Sequence, residues 1–212
     1  MKILAVSDRV LDRLYCSNVR EKVPGVELIV GCGDLPYYYL DFLISALDAP
    51  LVYVHGNHDG GPQYTTDRGL LTGVRGGKEI HGRTEDVGGL LLAGLGGSMR
   101  YRPRAPHMYT ETEMRAQVAR LIPKLFWNRQ KYGRYLDVLV AHSPPYGIHD
   151  RQDLPHTGFK VFLTLMQLFK PRSLLHGHIH IYRQEYPRVT QYKRTSVINV
   201  FPYRVMDIEL VD

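Results

Sequence analysis

The sequence predicts an α/β fold built on a parallel sheet, and three observations carry that reading. Apolar, β-branched runs are short and stop abruptly in glycine or small polar residues, as buried strands do. Helical periodicity fills the gaps between the first of them, giving strand, helix, strand, helix, strand. The residues that close these runs are carboxylates, an asparagine and imidazoles, placed at the strand ends where α/β sheets bind their ligands.

Taken in order, Lys2 to Val6 is a strand that runs into Ser7-Asp8. Leu11, Leu14, Tyr15 and Val19 then fall at helical spacing before Pro24-Gly25, so a helix is expected there. Leu28 to Val30 leads into Gly31-Cys32-Gly33-Asp34, and a second helix is expected from about Pro36 to Leu47. The strand Leu51 to Val54 passes through His55 into Gly56-Asn57-His58-Asp59. From Asp67 to Gly97 the chain turns glycine-rich, and Thr84 to Val87 with Leu90 to Ala93 flank Gly88-Gly89 as a hairpin. Thr110-Glu111-Thr112-Glu113 has capping-box spacing, and Met114, Val118, Leu121 and Ile122 give the following helix an apolar face. Pro123 is expected to kink or restart it before Gly133. Val138 to Ala141 ends in His142-Ser143-Pro144-Pro145, and Pro144 to Gly158 reads as a long loop. Phe162, Leu165, Met166 and Phe169 mark a helix stopped by Pro171, before Ser173 to Leu175 delivers His176-Gly177-His178-Ile179-His180. Thr195 to Val200 and Tyr203 to Leu210 read as a closing strand pair.

A chain of 212 residues without repeat or linker suits one domain over 1–212. A net charge of +6 favours anionic partners, phosphates or nucleic acid. No run approaches the roughly 18 apolar residues of a membrane span, and the apolar start is too short for a signal peptide. Cys16 and Cys32 are not spaced as a metal pair and are most simply reduced, so a soluble cytoplasmic protein with no membrane partner is expected.

The strand ends gather Asp8, Asp34, Asn57, His58, Asp59, His142, His178 and His180. Carboxylates with imidazoles at one sheet edge are what two divalent or trivalent cations need, and the imidazoles suit Mn, Fe, Zn or Ni. In this order, Asp8, Gly33-Asp34, Gly56-Asn57-His58-Asp59, Ala141-His142 and Gly177-His178-Ile179-His180, the set resembles the signatures of the calcineurin-like metallophosphoesterases. The resemblance runs from residue 8 to residue 180. It implies a four-layer α-β-β-α sandwich of two mixed β-sheets flanked by helices, and metal-dependent hydrolysis of a phosphomonoester or phosphodiester by a hydroxide bridging two metal ions. By the same resemblance Asp34 would bridge the two ions, with Asn57, His142 and His178 completing one and Asp8 and His180 holding the other. His58 would be the general acid, with Asp59 fixing its orientation.

One signature departs from the family. Its usual Asp-x-His is here Asp8-Arg9-Val10, and valine cannot coordinate. Either the Asp8 ion is loose or absent, or another residue replaces the histidine. Gly33-Asp34-Leu35-Pro36-Tyr37 resembles the purple acid phosphatase form, in which a tyrosine phenolate binds iron, so Tyr37 with Fe(III) at the Asp8/His180 position is a candidate. Tyr37, Tyr38 and Tyr39 are equally a cluster that simply packs. For substrate, Arg9 lies beside Asp8, and Arg100 sits in the basic, aromatic stretch Ser98 to Arg104, with His107 beyond. His149, Asp150 and His156 either line the entrance or are merely exposed. The implied partner is a phosphorylated small molecule or nucleotide. A non-catalytic scaffold on the same fold, and a nuclease drawn to nucleic acid by charge, are the alternatives.

Overall fold

The computed structural model describes residues 1–61, 63–65, 69–182 and 186–210. The first half contains β1 (Lys2–Val6), α1 (Val19–Lys22), β2 (Leu28–Gly31), α2 (Tyr37–Leu47), β3 (Leu51–Tyr53), β4 (Gln63–Thr65), β5 (Gly69–Leu71) and β6 (Gly77–Glu79). Then come β7 (Thr84–Val87), β8 (Leu90–Leu95), β9 (Ser98–Met99), β10 (Met108–Tyr109), α3 (Glu111–Tyr132), β11 (Val138–Ala141) and α4 (Lys160–Phe169). The chain closes with β12 (Ser173–His176), β13 (Val189–Tyr192), β14 (Thr195–Asn199) and β15 (Tyr203–Asp207).

Two large mixed sheets form, in the orders β15-β1-β2-β3-β6 and β13-β14-β12-β11-β8-β7. Their inner strands are parallel, while β15, β13 and β7 add antiparallel edges. Successive side chains of a strand point to opposite faces, and here both faces are buried. Leu4, Val6 and Ile29 pack with Tyr39, Leu40 and Leu43 of α2. Their neighbours Ile3, Ala5, Leu28 and Val30 meet Leu90, Leu92, Val138 and Val140 of the second sheet. On that sheet's far side Leu139, Ala141 and Leu174 pack against Met114, Val118 and Leu121 of α3 and Phe162 and Leu165 of α4. The layers are therefore helix, sheet, sheet, helix, and the inner strands β1, β2, β3, β8, β11 and β12 look continuously apolar because neither face sees water.

Local signals explain most boundaries. The Thr110 side chain accepts from the Glu113 N–H while Glu113 reaches back to the Thr110 N–H, which starts α3 as the sequence predicts. Gly133, at φ 73°, ends it. Pro123 does not restart the helix: α3 runs through it, losing one backbone hydrogen bond, and Ile122 is partly exposed rather than on the buried face. The first expected helix is mostly turns. Tyr15 N–H reaches the Leu11 carbonyl, but only Val19–Lys22 is helical. Asp12, Ser17 and Asn18 favour local turns, while Leu14 and Val19 still bury their side chains. The closing strands do not pair with each other. β14 lies beside β12, and β15 crosses to the other sheet to cover the edge of β1. Among the described residues no helix is long and apolar enough to cross a membrane.

Candidate metal centre

The register of the first sheet brings its strand ends level. Val6 lies opposite Gly31, and Gly31 opposite Tyr53, so Asp8, Asp34 and the 56–59 loop leave the sheet side by side. In the second sheet Val140 lies opposite Leu175, which sets His142 beside 177–180. The two edges are then stitched together: the His178 N–H lies 3.1 and 3.0 Å from the two oxygens of the Asp8 carboxylate. The sequence suggested one sheet edge; the centre is made by two.

Backbone conformation aims the side chains inward. Asp8, Asp34 and His178 have φ of 62°, 56° and 64°, the left-handed region that costs most residues energy and that gathers at functional sites. Glycines make room. A Cβ at Gly56 would collide with the Asp34 carboxylate and the His142 ring, and one at Gly177 with the Asp8 carboxylate.

Ligand atoms of Asp34, His142 and His178 lie within 4.8 Å of one another. His142 Nδ1 donates to the Cys32 carbonyl at 2.8 Å, which leaves Nε2 facing Asn57 Oδ1 at 3.0 Å and Asp34 Oδ2 at 3.4 Å. Burial alone would keep His142 neutral and raise the Asp34 carboxyl. Their mutual attraction overrides it, pushing His142 up to about 9 and holding Asp34 down at about 2. His178 behaves oppositely: burial, then the charge of His142, lowers it to about 3, so it is neutral. Its Nε2 donates to the Pro155 carbonyl at 2.8 Å, leaving the Nδ1 lone pair for a ligand. A carboxylate, an amide oxygen and two imidazoles thus fit one cation, with no change of fold required.

Residues 4–182 match the family model described as calcineurin-like phosphoesterase. The chain belongs to that family. Two solved structures share the fold. The protein TT1561 of Thermus thermophilus superposes with a TM-score of 0.59 at 16% identity, covering 94% of this chain and 88% of that one. Another gives a TM-score of 0.62 at 16% identity, over 94% of this chain and 90% of its own. Identities this low speak for the fold alone. No curated protein matches the sequence.

The second position of this calcineurin-like phosphoesterase is thinner. Asp8 Oδ1 lies 3.4 Å from His180 Nε2, and the His180 ring stacks on Phe201 at 4.3 Å. Val10, which stands where a histidine is usual, packs against the core on the α2 side. Tyr37 does not fill the gap. Its ring is buried and its hydroxyl lies 3.0 Å from His55 Nε2. Burial, then His107 and His81, holds His55 down at about 4, so its ring is neutral. Burial, then Tyr53, Asp59 and Glu79, pushes the Tyr37 phenol up to about 12.

Three further expectations change. Asp59 does not orient the His58 ring: its Oδ2 takes the N–H groups of Asp34 at 2.8 Å and Gly56 at 2.7 Å, so it clamps the two loops together. Burial, then the charge of Asp34, raises its carboxyl to about 6 against those bonds. His58 is exposed, positioned by its N–H on Asp34 Oδ1 at 2.7 Å. Arg100 is spent on Glu113 at 2.8 Å and the Met108 carbonyl at 3.1 Å, which ties its loop to α3 instead of facing substrate. Arg9 is exposed beside Asp8, its guanidinium unpaired among the described residues.

The structure also adds residues. The Tyr101 hydroxyl accepts from Asn57 Nδ2 at 3.2 Å, which turns the amide so that Oδ1 faces His142. His107 stacks on His55 at 4.5 Å and hydrogen-bonds the Asp59 backbone. The basic, aromatic texture of 98–107 marked the segment, with Tyr101 as a ring for stacking rather than as a partner of Asn57. Of the entrance candidates, His156 pairs with Asp153 and lies 5.1 Å from the His178 ring. His149 instead bonds His176 at 2.9 Å and Thr190 at 2.8 Å. The Asp150 carboxylate accepts from the Gly158 N–H at 3.1 Å.

Proposed function

We propose that this chain is a metal-dependent hydrolase of a phosphomonoester or phosphodiester. The meeting of Asp34, Asn57, His142 and His178 at the joined edges of two sheets supports this most. Cations held there would supply charge to neutralise phosphoryl oxygens and to make water a competent nucleophile near neutral pH. Mn, Fe, Zn and Ni suit this mixture of carboxylate and imidazole, and Asp8, His180 and Asp34 would hold a second ion. Without the Tyr37 phenolate, ferric iron has no particular claim on that position.

The chain's own residues divide the remaining work. Asp34 and His142 attract each other and set the centre's charge. The exposed His58 ring, held beside Asp34 by its backbone, donates a proton to the departing oxygen. Arg9 meets a phosphoryl oxygen at the rim. Hydrolysis of nitrophenyl phosphate and its diester with added manganese tests this. We expect turnover that drops by about 10²–10⁴-fold in His58→Ala with metal content unchanged. Equal activity of the variant would remove His58 from the reaction. Val10 favours one other reading, a scaffold without turnover, which predicts no hydrolysis with any of these metals.

A further inference from the structure

Next to the centre lies a cavity of about 730 Å³, within the range of small-molecule sites, whose wall includes His180. His180 belongs to both spaces: its Nε2 faces Asp8 at 3.4 Å, and its Nδ1 meets the Tyr182 hydroxyl inside the cavity at 3.4 Å. An ester whose phosphoryl group sat at Asp8 and Asp34 would therefore send its organic group past His180 into this space.

The lining indicates what that group is. Most polar atoms of the wall are already engaged. Both ring nitrogens of His149 are bonded, and Arg151 gives one N–H to the His180 carbonyl at 3.2 Å. Part of the aromatic surface is not engaged. His180, Phe201 and Tyr182 form a contiguous array, with Phe201 4.3 Å from His180 and 5.5 Å from Tyr182. Tyr182 and Tyr186 remain 73% and 61% exposed, although each borders the cavity. Large rings left this far in water at the mouth of a site offer free faces for stacking.

We infer that this cavity seats the flat aromatic ring of the alcohol being released, so that the substrate is a phosphoester of a nucleoside or an aryl-bearing alcohol. Tyr182 and Tyr186 take the ring faces, and the remaining Arg151 N–H groups meet polar substituents. This rests on the phosphoesterase reading, and the test separates the two.

Adenosine 5′-monophosphate is compared with ribose 5-phosphate, and benzyl phosphate with butyl phosphate, each pair differing in the ring but not in the type of leaving oxygen. The aromatic member should have a KM at least about tenfold lower, and Tyr186→Ala should collapse that ratio towards one. An advantage in both pairs means any flat ring; an advantage for adenosine alone means a nucleobase. Equal KM values within both pairs, or ratios untouched by Tyr186→Ala, overturn the inference. Should no ester be hydrolysed, equilibrium dialysis of adenosine and benzyl alcohol against chelator-treated protein decides. Saturable binding lost in Tyr186→Ala sustains the cavity while the monoesterase reading fails, and no binding, or binding untouched by Tyr186→Ala, overturns the cavity too.

Discussion

The two proposed cation positions, which Asp34 would join, lie where the two sheet edges meet, yet they are built differently. The first draws on four side chains from both sheets, with three of them braced: His142 by the Cys32 carbonyl, His178 by Pro155, Asn57 by Tyr101. The second has Asp8 and His180, and Asp8 is already occupied by the His178 N–H. One valine makes the difference, because Val10 serves the core where a histidine would serve an ion. Metal affinity follows ligand count and bracing. One tight ion and one weak one are therefore expected.

The largest expected effect comes from Asp34→Ala, which removes the shared ligand and should abolish both tight metal binding and turnover. Asp8→Ala should spare the first ion. Metal analysis after gel filtration checks both, and loss of the first ion in Asp8→Ala would erase the distinction between the positions. Next comes pH. His142 is pushed up to about 9, so at neutral pH it carries a proton that the first ion must displace. Affinity should rise by about tenfold per pH unit from 6 towards 8 and level off above about 9. Titration calorimetry in buffers of different ionisation enthalpy reads the released proton, and a pH-independent affinity would count against the Asp34–His142 pair.

Smaller again is Tyr101→Phe, which frees the Asn57 amide to rotate. Losing such an outer partner costs about 10–100-fold in metal affinity, and the loss should fall on the first ion only. Smallest is Tyr37→Phe. It should leave metal content unchanged, since the hydroxyl serves His55; a fall in bound metal would return Tyr37 to the ligand set.

The sequence was most legible where one local rule acts. The capping box at Thr110, the hairpin at Gly88-Gly89 and the strand ends carrying Asp34 and His142 were all read directly. It failed where two rules compete or where partners are distant. Leu11 to Val19 has helical spacing, but its short polar residues chose turns. The last two strands look like a pair because sequence cannot say which sheet edge is open. Tyr37 matched a ligand motif, but the deciding contact, His55, belongs to a strand end that the motif does not mention. Asp59 likewise sits next to His58 in sequence yet spends its carboxylate on the backbone of Asp34 and Gly56.

Manganese titration of metal-free protein, comparing the unaltered chain with Val10→His, bears most directly on the unequal pair. One tight equivalent and a second at least about tenfold weaker are predicted, with Val10→His tightening only the second. Two equivalents of equal affinity in the unaltered chain, or a Val10→His variant that binds as before, would contradict it.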